Sequence, residues 1–169
     1  YGVGALPLNF PNEFDRRKGR SGGGIWLHGV PRAAYSRGPY ATEGCVAVAN
    51  EDMSALLRLL EPRRTPVIIA EEIRWAHPAD LEPERKEFRS MLQNWSDARV
   101  SGDFDATMSF YSDQFQNGST AIDQWRTIVG RDLAQNRGRK ITLKDVSIMA
   151  WKRESEVTLV TFAEVRAGN

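Results

Sequence analysis

Gly23-Gly24-Ile25-Trp26-Leu27-His28-Gly29, followed after a loop by Thr42-Glu43-Gly44-Cys45-Val46-Ala47-Val48, is the stretch on which the reading of this chain turns. Each half is a short apolar run of strand length with glycine beside it, and each carries one chemically capable side chain. Cys45 is the only cysteine, and His28 is one of two histidines. A free thiol has a pKa of about 8.5 and is mostly protonated at neutral pH, so a nearby imidazole is what makes it a nucleophile. Gly44 lets the backbone turn sharply and brings main-chain N–H groups near the thiol, where an oxyanion develops in acyl transfer. The competing reading is structural. Free cysteines are commonly buried as small hydrophobes, and a histidine ending an apolar strand is more often a satisfied packing residue.

Downstream of Cys45 the pattern becomes helical. Asn50 is expected to cap a helix whose first turn holds Glu51 and Asp52, with Met53, Leu56, Leu57 and Leu60 on one face. Pro62 ends it, and Thr65-Pro66-Val67-Ile68-Ile69-Ala70 reads as a strand with proline near its start. His77-Pro78-Ala79-Asp80-Leu81-Glu82-Pro83 has a linker composition, because each proline disfavours helix in the residue before it. The expected division is therefore a first domain over residues 1–78, a linker over 79–83 and a second domain over 84–169.

In the second domain helices precede sheet. Phe88, Met91, Leu92, Trp95 and Ala98 mark one face of a helix from about Glu84 to Val100, with Gly102 at its stop. Phe104, Met108 and Tyr111 mark a shorter helix, and Ile122, Trp125, Ile128, Val129 and Leu133 a third, before Gly138 breaks the pattern. Ile141 to Trp151 and Val157 to Val165 read as strands around the charged turn Lys152 to Glu156. Aromatics at such spacing are read as core, with a few available to line a sugar- or peptide-binding pocket. This half contains neither histidine nor cysteine, so it is read as a binding or assembly module.

Composition narrows the function classes. At 169 residues and 41% hydrophobic the chain is large enough for packed cores, and a formal charge of +1 offers no broad basic stripe for nucleic acid. No stretch approaches the roughly 20 apolar residues of a bilayer span. One cysteine excludes an internal disulfide. Cys45, His28 and His77 are too few ligands for structural zinc, which takes four, so no metal is expected. Gly22-Gly23-Gly24 is not followed by the Gly-Lys-Ser/Thr of a phosphate loop. Arg16-Arg17-Lys18-Gly19-Arg20 is a local basic cluster, read first as a solvated loop and second as a contact for an anionic envelope partner.

The spacing of His28-Gly29, the loop Val30 to Ala41, and Thr42-Glu43-Gly44-Cys45 resembles the signature of the L,D-transpeptidases, bacterial cysteine enzymes that remodel peptidoglycan. The likeness extends to Tyr1 through Asn12 and to Asn50-Glu51-Asp52, about half the chain. Two departures mark a divergent branch: Glu43 stands where many members have histidine, and Ala47 where they have arginine or asparagine. Trp95, Gly102-Asp103-Phe104 and Phe110 through Phe115 resemble the nuclear transport factor two-like cone fold. The expected architecture is thus α+β: the C-terminal portion of a mainly β L,D-transpeptidase catalytic fold, then a smaller α+β cone-like domain. Both resemblances imply further sequence: Tyr1 opens inside the catalytic pattern, and whole cone-fold members carry strands beyond the point matching Asn169.

The resemblance implies a mechanism. Cys45, activated by His28, attacks the carbonyl that precedes a terminal D-amino acid in a peptidoglycan stem peptide, and a thioester forms. Backbone N–H groups around Glu43, Gly44 and Cys45 hold the oxyanion, and the Gly29 carbonyl orients the imidazole. Arg32, Arg37 and Thr42 are the candidate substrate-binding residues, the arginines through a substrate carboxylate. No cofactor is implied. The implied partners are stem peptides and an envelope protein acceptor, and the implied location is the periplasm or cell envelope. With water as acceptor the same centre is an L,D-carboxypeptidase or amidase; a noncatalytic peptidoglycan-binding module is the alternative from another class.

Overall fold

The computed structural model describes residues 1–31, 42–151 and 157–167. The chain divides into two compact units, Tyr1–Ala70 and Glu71–Asn169.

The first unit is built on a three-stranded sheet of order β1-β2-β3, formed by β1 (Ala5–Pro7), β2 (Trp26–Gly29) and β3 (Val46–Val48). β1 runs antiparallel to β2, pairing Leu6 with Leu27 and Ala5 with His28. β3 runs parallel to β2, pairing Leu27 with Val46 and His28 with Ala47. Because successive strand residues point to opposite faces, Leu6, Leu27, Val46 and Val48 share one face while His28, Trp26 and Ala47 share the other. Helix α2 (Asn50–Leu59) packs against the sheet, with Met53 fully buried at 0% exposure and Leu27 buried as well. A Cβ on Gly4 would lie 2.6 Å from Leu57 Cδ1, so glycine there admits the helix to the sheet.

Between β1 and β2 lies α1 (Glu13–Arg17), closed by a reciprocal cap. Asp15 N–H donates to Asn12 Oδ1, and Asn12 N–H to Asp15 Oδ2, both at 3.1 Å. The basic cluster is partly neutralised locally: Arg17 pairs with Glu13 at 3.1 Å and Arg20 with Asp15 at 3.1 Å. Those pairings favour the reading of Arg16 to Arg20 as a solvated cluster, though Arg16 and Arg17 belong to the last turn of α1 rather than to a loop.

Two local expectations are corrected. Asn50 is not the cap of α2: that position belongs to Ala49, and the Asn50 side chain is engaged with strand backbone instead. Thr65–Ala70 forms no strand. No ladder partner meets it among the described residues, and without one its apolar character leaves Val67, Ile68 and Ile69 exposed.

The second unit begins on α3 (Pro78–Ser101), followed by α4 (Phe104–Met108), the two-residue strands β4 (Gln116–Asn117) and β5 (Thr120–Ala121), α5 (Ile122–Asn136), and the long hairpin strands β6 (Ile141–Trp151) and β7 (Val157–Arg166). Residues 79–83, read as a linker, are the first turns of α3. His77 Nδ1 accepts from the Ala79 N–H at 3.3 Å, Pro78 occupies the first helical position, and Pro83 is absorbed within the helix. Gly102 ends the helix with φ 74°, a left-handed stop. The turn expected at Lys152 to Glu156 lies outside the described residues.

Met108, Val129 and Leu133 form the core of this unit, with Phe104, Tyr111, Ile122 and Trp125 packed against it. Trp95 Nε1 donates to Tyr111 OH at 3.1 Å, and the Trp95 and Phe162 rings lie 5.8 Å apart, joining α3 to β7. Ion pairs reinforce that joint: Arg99 bonds Asp132 of α5 at 2.9 Å and Glu164 of β7, while Arg166 bonds both of the same carboxylates. Their side chains are only 13–30% exposed, so the pairs are screened less than surface ones.

Met53→Ala is expected to lower unfolding free energy by about 2–5 kcal/mol. Leu59→Ala, on the same helix but 78% exposed, should change it by about 0.5 kcal/mol or less. Urea denaturation of the two variants checks the contrast.

Candidate active site

The site follows from the parallel pairing of β2 and β3. Ala47 stands level with His28 across that ladder. Cys45, two residues before Ala47, belongs by alternation to the same face, opposite the face that packs on α2. Two residues of strand and one strand spacing put the Cα atoms of His28 and Cys45 about 8 Å apart.

His28 is buried, 6% exposed. Its Nδ1 lies 2.6 Å from the carbonyl oxygen of Gly29. A carbonyl only accepts, so Nδ1 carries a proton, and in the neutral ring the lone pair is then on Nε2. Tyr1 packs its ring edge-on to the imidazole at 5.2 Å and stacks on Trp26 at 5.3 Å, covering this face of the sheet with aromatic carbon.

The loop that carries Cys45 is shaped by its own hydrogen bonds. Thr42 Oγ1 donates to the Cys45 carbonyl at 2.7 Å, closing the turn through Glu43 and Gly44. The hydroxyl proton of Thr42, expected to serve substrate, is committed to that turn. Gly44 has φ 110°, a conformation L side chains rarely adopt, and a Cβ there would sit 2.8 Å from Ile25 Cδ1. The Glu43 side chain is exposed. Cys45 is half-buried, and its Sγ lies 3.6 Å from the Gly24 carbonyl. Among the described residues that carbonyl, rather than the imidazole, is the hydrogen-bond partner of the thiol. Contacts between reacting groups are often loose without substrate and tighten when it binds.

The structure thus places His28 and Gly29 at the C-terminal end of β2, and Thr42, Glu43, Gly44 and Cys45 in the turn that leads into the N-terminal end of the neighbouring strand β3. Arg32 and Arg37 lie outside the described residues. Among the described residues no group of three or more histidine, cysteine, aspartate or glutamate side chains converges as a metal site, and no helix is long and apolar enough to cross a membrane.

Sequence reasoning missed one residue of this assembly. Asn50 was read as a helix cap and as part of the family likeness, with no role at the site, yet its amide bonds Val3 N–H at 3.2 Å and Val30 carbonyl at 2.8 Å, on either side of the Gly29 end of β2. The available signal was the glycine pair, Gly2 and Gly29: a Cβ on either would collide with Asn50 Oδ1.

Comparison with known proteins gives two family matches and a fold. The L,D-transpeptidase catalytic domain family (YkuD) matches residues 3–69, and the Cds6 C-terminal NTF2-like domain family matches residues 87–167. No curated protein sequence matches the chain. Among solved structures, Bd1075 of Bdellovibrio bacteriovorus is similar at TM-score 0.73 and 22% identity, over 96% of this chain and 57% of that one. The helical cell shape determining protein Pgp2 of Campylobacter jejuni is similar at TM-score 0.67 and 22% identity, over 97% of this chain and 58% of that one. The chain therefore spans little more than half the length of these structures, and at such identity they show its mixed α+β fold. The residues that build the His28–Cys45 sheet thus fall within the match to the L,D-transpeptidase catalytic domain family, and a match to the Cds6 C-terminal NTF2-like domain family follows it.

Proposed function

We propose that this chain carries the acyl-transfer centre of an L,D-transpeptidase acting on peptidoglycan stem peptides. The observation that supports the reading is the 2.6 Å contact of His28 Nδ1 with the Gly29 carbonyl, which in the neutral ring leaves the Nε2 lone pair available for the proposed role as base to Cys45. In the proposed step, the Cys45 proton passes to Nε2 as Sγ attacks the carbonyl before the terminal D-amino acid. The C–N bond then breaks, the imidazolium protonates the departing amine, and the stem stays on Cys45 as a thioester. An amine from a neighbouring stem, or from an envelope protein, resolves it with a new amide; water resolves it as an acid.

Transition-state stabilisation falls to backbone N–H groups in the Glu43–Cys45 turn, held by the Thr42 bond to Cys45. Arg32 and Arg37 are proposed to bind a substrate carboxylate. The match to the YkuD family supports cell-wall peptide as substrate and the cell envelope as location. The likeness to Pgp2, a helical cell shape determining protein, supports a role in shaping the wall. The second domain, proposed as residues 84–169, is assigned binding or assembly.

Two measurements test this. Cys45 is expected to be alkylated by iodoacetamide near pH 6, and His28→Ala to slow that reaction; slow labelling unaffected by His28→Ala would argue for an inert thiol and a noncatalytic binding module. Incubation with muropeptides and an amine acceptor should give crosslinked product by mass spectrometry, abolished in Cys45→Ala; a shortened stem alone assigns the hydrolase. Gly44→Ala is expected to cost about 1–3 kcal/mol of stability through its backbone angle. By displacing an oxyanion donor, it should also slow turnover by about a hundredfold. Gly23→Ala, whose Cβ would meet nothing within 4 Å, should leave both unchanged.

A further inference from the structure

Asn50 is the first residue of α2, and it does not serve the helix it opens. The cap position is Ala49, with no side-chain bond to the helix end. The Asn50 amide instead faces backbone from two strands. Oδ1 accepts from Val3 N–H at 3.2 Å, before β1, and Nδ2 donates to the Val30 carbonyl at 2.8 Å, after β2. Room for it is made by glycine. A Cβ on Gly2 or on Gly29 would collide with Oδ1, and the Gly29 Cβ would also lie 3.2 Å from Val3 N. Ser54 Oγ donates to the Asn50 carbonyl at 2.8 Å, anchoring the residue from the helix side.

The placement bears on the base through one peptide plane. The carbonyl that accepts from His28 Nδ1 belongs to Gly29, and the plane carrying it continues into Val30. On its N-terminal side Gly29 is fixed by its N–H bond to the Gly4 carbonyl at 3.1 Å. On its C-terminal side the plane is held by the pairing of Gly29 with Val48, the last of the β2–β3 ladder, and glycine lacks the side chain that restricts rotation. The Asn50 bond to the Val30 carbonyl adds a second tie just beyond that pairing. Loss of that tie lets the end of the ladder fray, and rotation of the Gly29–Val30 plane then carries the acceptor away from Nδ1.

We infer that Asn50 is a positioning residue for the base: holding Val3 and Val30 keeps the Gly29 carbonyl on His28 Nδ1, and so keeps the imidazole in the tautomer whose free Nε2 faces the thiol. The inference rests on the reading of His28 as the base for Cys45. It extends the machinery to α2, which sequence reasoning treated as packing.

The test uses the whole chain labelled with 15N-histidine. His77 is an internal reference, because its Nδ1 accepts from Ala79 N–H and its proton therefore sits on Nε2. In the parent, His28 should show the Nδ1–H tautomer. Asn50→Ala should convert it to a mixture and slow iodoacetamide labelling of Cys45 near pH 6 by about tenfold, the scale of loss expected from a misplaced reacting group. It should add nothing further in the presence of His28→Ala. Asn50→Asp keeps an acceptor for Val3 but loses the donor to Val30, so it should behave the same way, and it is the arm to read where the alanine variant does not fold. Folded Asn50 variants with unchanged tautomer and labelling overturn the inference, as does failure of both to fold, which makes Asn50 a structural tie alone. If His28→Ala itself leaves labelling unchanged, the acyl-transfer reading fails, while the tautomer spectrum still decides the role of Asn50.

Discussion

The parallel pairing of β2 with β3 is the constraint on which the site depends. Parallel strands cannot be joined by a tight turn, so the chain must leave the sheet after Gly29 and return at Cys45. That requirement separates His28 and Cys45, the proposed base and nucleophile, in sequence while the ladder returns their strands to neighbouring positions in space. Register then matters more than proximity. With His28 level with Ala47, Cys45 shares its face; a slip of one residue would turn the thiol toward α2 and Met53. Hydrophobic burial under α2 is what fixes that register, so packing on one face of the sheet specifies chemistry on the other.

Around this pairing the backbone supplies most of the working groups. A carbonyl of Gly29 selects the histidine tautomer, a carbonyl of Cys45 ties down Thr42, and a carbonyl of Gly24 receives the thiol. Glycines recur in that list because each donor or acceptor must approach something closely or turn abruptly. Gly44 does so through its positive φ, and Gly29 through the lack of a Cβ in front of Asn50. The Glu43 departure from the family pattern is tolerable on this view, since its side chain is exposed and the contribution proposed for it is main chain. The second unit is organised differently. Its elements are tied by side chains, with Trp95 and Arg99 of α3 reaching Tyr111, Phe162, Asp132 and Glu164.

The sequence made legible those features that follow from local periodicity or one-residue chemistry. Ile122 to Leu133 repeat on one helical face and form α5; Gly102 stops α3 because a left-handed residue is needed there; the apolar stretches from Ile141 and Val157 pair as β6 and β7. His28 and Cys45 stood out by residue type, and a family pattern supplied their relation. What remained hidden depends on partners far along the chain. Thr65–Ala70 has strand composition, but a strand exists only where another strand meets it. Pro78 and Pro83 bracket a stretch that suggests a linker, yet Pro78 sits where a helix has no N–H to satisfy and the His77 side chain caps the turn. Asn50 has a good cap residue's chemistry, and only the three-dimensional slot beside Gly2 and Gly29 shows that its amide is spent on strand backbone.

The most direct measurement of the central claim is intact-protein mass spectrometry after rapid quenching of the chain with a tetrapeptide stem. Acyl transfer through Cys45 predicts an adduct with the mass of the stem lacking its terminal D-amino acid, located on the Cys45 peptide and absent from Cys45→Ala. A stem shortened by the chain with no adduct at any quench time, and shortened equally by Cys45→Ala, would contradict it.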